Sequence, residues 1–263
     1  MDLKLAGKKV FVSGSTQGIG YAIAKALAHE GASVTINGRT PEKVDSALQR
    51  LRAEVSGADV SGIAADFAQP DQVERLVEGL GEVDILVNNV GLFELAAFAE
   101  ITDEGWQRYF ELNLMSGVRL SRRILPAMLA RNWGRIIFVG SESGVNVPAD
   151  MVHYGVTKAG MLALSNGLAK LTRGTEVTVN TILGGPTYSD GVAETVDQIS
   201  QAQGMQADAL KTAIIAGNTT SLLQRFIEPG ELANLAVYLA SPVSSATNGA
   251  ALRADGGVLT GTL

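Results

Sequence analysis

Residues 8–31 read KKVFVSGSTQGIGYAIAKALAHEG, and the order of patterns within them decides the fold. A run rich in β-branched and apolar residues over 8–14 stops at a turn holding Gly14, Gly18 and Gly20, and a helical pattern follows at once over 18–30. Glycine permits a tight turn and lets backbone approach a ligand closely. A helix N-terminus directly behind it supplies free N–H groups and a positive dipole end. Strand, glycine turn and helix in that order suit a parallel α/β sheet that grips a pyrophosphate. Glycine-rich turns are common by themselves, so the rest of the chain has to agree.

Runs rich in β-formers at 32–39, 61–67, 83–89, 134–141 and 176–183 alternate with helix-like stretches at 41–55, 70–80, 103–131 and 154–172. Several of the runs are apolar at successive positions, as in strands covered on both faces. Thr40 before Pro41 is an N-cap followed by proline at the first helical position. The alternation predicts a single-domain α/β fold, a doubly wound parallel sheet with right-handed crossovers. Only 187–227 departs from it, being strand-free and richer in Gln, Ser and Thr. It reads as a helical substrate lid inserted before a helix at 229–241 and a last strand near GAALRADGG (249–257).

Composition narrows the chemistry. The 263 residues are 46% hydrophobic and 18% charged, enough to fill a core, and the net charge of −6 disfavours nucleic acid or an anionic membrane as partner. The absence of Cys removes disulfides, thiolate metal sites and a cysteine nucleophile. Two histidines, His29 and His153, give little material for a metal site or a Ser-His-Asp triad, so no metal is expected. The N-terminus has no apolar signal core and no stretch approaches a membrane span, which points to a cytoplasmic protein. Acid–base work must then fall to Tyr, Lys, Asp or Glu.

The stretch HYGVTKAG (153–160) offers such a pair, Tyr154 and Lys158, four apart and able to share one helical face. A free phenol titrates near ~10, and moving it to about 7 takes about 4 kcal/mol. An ammonium about 4.5 Å away, at an effective dielectric near 20, supplies on the order of 3.7 kcal/mol. Isolated, the pair would be an ordinary exposed helix pair. The second strand ends VTINGRT, with Gly38 where folds preferring NAD carry an acidic residue for the ribose hydroxyls, and Arg39 next to it. A guanidinium with no competing carboxylate suits a 2′-phosphate, so NADP(H) is the expected cofactor.

With the glycine loop, NNVG (88–91), Asn113 in ELNLMSG, Ser141 in IIFVGSESG, YGVTK (154–158), VTVN (177–180) and DGG (255–257), the chain resembles the short-chain dehydrogenase/reductase family from Lys8 to Gly257. Ser141 precedes Tyr154 by 13 residues, the family spacing, and is preferred over Ser143. The resemblance implies a Rossmann sheet of order 3-2-1-4-5-6-7 and hydride transfer between an NAD(P) nicotinamide and a carbonyl or alcohol. It implies Asn113, Ser141, Tyr154 and Lys158 as the catalytic set, with Tyr154 the acid–base group and Asn113 holding a water of a proton relay. Cofactor contacts would come from Gly14, Ser15, Thr16, Gln17, Gly18, Ile19 and Gly20 in the loop. Arg39, then Asp66 and Phe67 at the adenine, and Asn88, Val90 and Gly91 along the fourth strand would add to them. Tyr154 and Lys158 would hold the nicotinamide ribose, and Pro186 and Thr187 would touch the carboxamide. The family also implies a homotetramer built on helices 103–131 and 154–172.

Three positions depart from the family pattern: Val90 stands where alanine is commoner, Gly184 replaces a proline and would loosen the lid hinge, and Leu171 replaces a frequent glutamate. For the substrate, Asp190, Glu194, Asp197 and Asp208 against Lys211, with Glu142 and Asp150, favour a neutral or cationic carbonyl compound over a small anion. Phe93, Met151 and Tyr188 are pocket candidates. Two alternatives stay open: a 3-oxoacyl-[acyl-carrier-protein] reductase, docking its carrier through Arg131, Arg135 and Arg173, and a non-catalytic NADP-binding regulator.

Overall fold

Seven parallel strands make one sheet, in the order 3-2-1-4-5-6-7, in the computed structural model of the chain, which describes residues 2–262. Along the chain run β1 (Lys9–Val12), α1 (Gly18–His29), β2 (Ser33–Gly38), α2 (Pro41–Glu54), β3 (Val60–Ala64), α3 (Pro70–Gly79) and β4 (Ile85–Asn88). Then follow α4 (Asp103–Tyr109), α5 (Ser116–Ala130), β5 (Trp133–Ser141), α6 (Val152–Leu171) and β6 (Glu176–Gly184). The chain closes with α7 (Asp190–Gln203), α8 (Ala207–Gly217), α9 (Pro229–Ala240) and β7 (Ala251–Ala254).

Strand alternation builds two cores from one sheet. Val10 and Val12 face α1 and α9 with Ile23, Leu27 and Val237, while Phe11 between them faces the α5 and α6 side with Leu120, Leu125 and Met161. Both faces are covered, which is why these strands read as continuous apolar runs. Strand order reverses between β1 and β4, and the crevice at that point lies against the first glycine turn.

The expected helix over 103–131 is interrupted. Phe110–Met115 is π-helical, between α4 and α5, and Asn113 sits in it, fully buried. The widened turn lets Asn113 reach sideways instead of along the helix. The segment 187–227 is helical as expected, but it is not free of β pairing, since Thr187 bridges Ile227 and so ties its two ends together. Gly184 does not loosen this segment's base: it pairs with Ser141 on one side and Ala254 on the other, and an added Cβ would come 2.8 Å from Leu232. Leu171, at the end of α6, is exposed, and nothing in the structure explains it.

Arg135 is 1% exposed in β5 and cannot serve as a docking group. Its guanidinium donates to the carbonyls of Gly134, Glu176 and Ser241 at 2.9, 2.7 and 3.3 Å, pinning β5 to β6 and to the end of α9. Substituting Arg135→Met should cost about 3 kcal/mol, because three acceptors lose a charged donor. Urea unfolding would read this as a lower midpoint, and an unchanged midpoint would contradict it.

Candidate active site

The glycine turn is held open by its neighbours. Gly14 and Gly18 both have φ of +59°, a left-handed conformation that side chains resist. Asn37, at the end of β2, accepts from Gly14 N at 3.0 Å, and Asn89, just past β4, donates to the carbonyls of Ser13 and Gly14 at 3.1 and 2.8 Å. A Cβ at Gly20 would overlap the Asn89 amide, so the asparagine and the glycine require each other. The Ser15 hydroxyl points inward, donating to Val12 O and accepting from Asn37 N. Ser15 therefore shapes the turn and does not line the cleft.

A cleft of about 550 Å³ runs along this turn. Thr16, Gln17, Gly18, Ile19 and Gly20 line it, with Arg39, Asp66 and Phe67 toward one end and Val90 and Gly91 on the other side. Sequence reasoning expected all of these. It missed Lys43, Ser189 and Gly191, which also line the cleft. Lys43, on the first turn of α2, could have been noticed from its closeness to Arg39. Gly38 has a steric reason to be glycine, since a Cβ there would lie 2.5 Å from Thr16 Cγ2. Any side chain at that position requires Thr16 to move.

Besides Ser15, four more expected residues, Asn88, Pro186, Thr187 and Asn113, lie off the cleft wall and are engaged by protein. Asn88 turns its amide to Ser121 Oγ at 3.2 Å and braces β4 against α5. Pro186 accepts from Ile227 N, and Thr187, which is buried, donates to Gly185 O. Asn113 accepts from Leu92 N at 2.8 Å and donates to Leu92 O and to Thr157 Oγ1. Its side chain is engaged by protein and has little left for a water.

The remaining expected residues gather where β5 ends. Ser141 Oγ donates to Glu142 Oε2 at 2.9 Å and accepts from Ser143 N at 3.1 Å, and it lies near enough to the Tyr154 phenol to pull that group's pKa down. Ser143 is thus a backbone donor to Ser141. Lys158 sits one turn beyond Tyr154 on α6, its Nζ 5.5 Å from the phenol ring centre and donating to Val139 O at 2.9 Å. A Cβ at Gly91 would lie 3.4 Å from Asn113 Oδ1 and 3.6 Å from Lys158 Nζ, so this cluster adjoins the cleft through Gly91.

The electrostatics differ from the simple pairwise expectation. Burial raises Tyr154 to about 12, opposed by the Ser141 hydrogen bond and reinforced by the Glu142 carboxylate. Burial lowers Lys158 to about 8. Tyr154 as a residue is half-buried, but its hydroxyl is desolvated, and the pairwise sum counted neither that cost nor the neighbouring carboxylate. In the protein alone, desolvation therefore outweighs the lysine, whose ammonium is drawn toward Val139. His153 is buried and stacks on Tyr109, ring centres 3.8 Å apart, and among the described residues no group of His, Cys, Asp or Glu could hold a metal.

The family model for short chain dehydrogenases matches residues 8–200. The chain is a short-chain dehydrogenase/reductase. This dehydrogenase/reductase is 46% identical to the uncharacterised oxidoreductase YvrD of Bacillus subtilis, over 98% of this chain and 99% of that one. It is 34% identical to a D-β-hydroxybutyrate dehydrogenase of Cupriavidus necator, over 96% and 98% of the two chains. Among solved structures, L-sorbose reductase from Gluconobacter frateurii, complexed with NADPH and L-sorbose, superposes with a TM-score of 0.93 at 33% identity, covering 99% of this chain and all of that one. The short-chain dehydrogenase/reductase is accordingly an oxidoreductase with a Rossmann sheet, and its family supports a nicotinamide cofactor. Among the described residues, no helix is long and apolar enough to cross a membrane.

Proposed function

We propose that the protein is an NADP(H)-dependent oxidoreductase that interconverts a carbonyl and an alcohol, with Tyr154 as the acid–base group. One observation carries this reading: the end of β5 brings Ser141 near enough to the Tyr154 phenol to lower its pKa, with Lys158 Nζ 5.5 Å from the ring centre, and a neighbouring cleft is lined by Arg39 and Lys43. NADPH consumption with a panel of neutral ketones tests it, and no turnover with any member would remove it.

The cleft residues suit the cofactor. The glycine turn offers backbone N–H groups to a pyrophosphate, and two cations with no carboxylate at position 38 suit a 2′-phosphate. Asp66 and Phe67 would flank the adenine, and Lys158 would hold the nicotinamide ribose. The bound nicotinamide supplies or accepts the hydride. Tyr154, neutral at physiological pH, gives its proton to the carbonyl oxygen as negative charge develops there, and Ser141 steadies the same oxygen. Asn113 fixes the π-turn against Leu92 and Thr157, keeping the wall around Lys158 in place.

Segment 187–227 is assigned as the substrate lid, hinged where Thr187 meets Ile227. Asp190, at the start of α7, accepts from Gly18 N at 2.6 Å, so an internal carboxylate already occupies a donor of the pyrophosphate turn. The Asp190→Ala variant should bind NADPH about fivefold more tightly, because it frees that N–H and removes a negative charge. Equal Kd values by fluorescence titration would contradict this. The assembly is proposed to be a homotetramer, which light scattering would check.

The carrier-protein reductase reading keeps relatives of that name, such as one of Vibrio cholerae at 33% identity over 97% of this chain, but loses two of its three docking cations. Arg135 is buried, and Arg131 is paired with Glu82 and Asp84 at 3.0 and 3.6 Å, which leaves Arg173 of the three docking cations. For the substrate, the acidic surroundings support a neutral carbonyl compound, and L-sorbose, named for the superposing reductase, is a neutral polyhydroxy ketone.

A further inference from the structure

A carboxylate touching the reacting hydroxyls is unusual chemistry, because it places negative charge where an oxyanion has to form. Glu142 follows Ser141 directly, its Oε2 2.9 Å from the Ser141 Oγ. Backbone geometry fixes it there: β5 ends at Ser141, and Glu142–Gly144 is one tight 3₁₀ turn capped by the Ser141 hydroxyl. The residue is half-buried and its carboxyl is desolvated, which raises it, while hydrogen bonds from Ser143 and Ser141 pull it down and Asp255 pushes it up again.

Its surroundings give it no counter-charge. Asp255, beyond β7, is held by Gly257 N, Leu259 N and Arg253. From α6, Lys158 is turned to Val139 O, and Tyr154 is the neutral acid. Arg108 at the cleft is exposed and paired with Glu94 at 3.5 Å. A carboxylate has roughly four acceptor positions, and the bond from the Ser141 hydroxyl leaves it with capacity for another donor.

We propose that Glu142 determines specificity by accepting a hydrogen bond from a hydroxyl on the carbon next to the reacting carbonyl, so that the enzyme selects α-hydroxy ketones and turns away α-keto acids. The proposal rests on the assigned roles of Ser141 and Tyr154. When Ser141 turns its one proton from Glu142 to the substrate's carbonyl oxygen, the carbon next to that carbonyl lies alongside Glu142, and a hydroxyl on it can replace Ser141 as the carboxylate's donor. A substrate carboxylate in that place would meet like charge in a desolvated pocket.

Three probes of nearly equal size separate the terms: 1-hydroxy-2-butanone, 2-butanone and 2-oxobutanoate. Each is read as NADPH turnover and as calorimetric binding to enzyme saturated with NADP⁺. In the wild type, kcat/KM should run hydroxyketone, ketone, keto acid, with at least about tenfold between the first and last. The Glu142→Gln variant keeps an acceptor for Ser141 but loses a charge that all three substrates feel at the forming oxyanion, so 2-oxobutanoate should gain about tenfold relative to 2-butanone. Disturbed packing would lower all three together and leave their ranking intact. Equal treatment of hydroxyketone and keto acid by the wild type, or an unchanged ranking in Glu142→Gln, overturns the proposal. If no probe turns over and the binding ranking still holds, selection by Glu142 stands and the assigned reaction falls.

Discussion

A Tyr154→Phe variant should lose carbonyl reduction by about 10³-fold or more while its Kd for NADPH changes less than about threefold. The split follows from where the hydroxyl lies. The phenol lies beside Ser141 at the end of β5, whereas the cleft that would take the dinucleotide is lined by other residues. Phenylalanine keeps the ring beside Lys158 and removes the proton donor alone. Because burial holds the group near 12, it is protonated throughout the neutral range and already suited to giving a proton in the reductive direction. Stopped-flow reduction alongside fluorescence titration of NADPH would report both quantities. Near-normal turnover would remove Tyr154 from the chemistry, and a parallel loss of cofactor affinity would make it a binding residue.

Charge reversal at Arg39 should weaken NADPH by about 10²-fold and leave NADH within a few-fold. The side chain is exposed at the end of β2 and lines the cleft, so only a ligand carrying the extra phosphate feels the change. Lys43 lines the same cleft, so an Arg39→Glu, Lys43→Glu double variant should go further than either single change. Raising salt should shrink the difference between the two cofactors, since a pair this exposed is screened. Equal losses for NADPH and NADH would mean that the substitutions act on the fold of β2.

The doubly wound parallel class and the glycine turn were legible from residues 8–31 and from the alternation that follows, because both are local patterns, whereas the strand order came only with the family resemblance. The spacing of Ser141, Tyr154 and Lys158 likewise carried their proximity, since one strand end and one helix face position all three. Less accessible were contacts between residues far apart in sequence. Nothing in VTINGRT announces that Asn37 reaches Gly14, nor does NNVG announce that Asn89 fills the space above Gly20. Pairing a phenol with an ammonium in isolation also missed the desolvation that dominates both groups, a property of the packed interior and not of any spacing. The π-turn at Phe110–Met115 has no compositional mark at all, lying inside a continuous helical pattern.

The two asparagine struts separate tasks that adjoining residues might have been expected to share. Asn37 and Asn89 clamp the turn from the strands on either side of β1, so its backbone is already arranged and loses little freedom when an anion displaces Asp190 from Gly18 N. Arg39 stands two residues past one clamp, on the solvent side of it. Coenzyme preference in this scaffold can therefore drift by exchange of surface charge alone, with the phosphate cradle inherited unchanged.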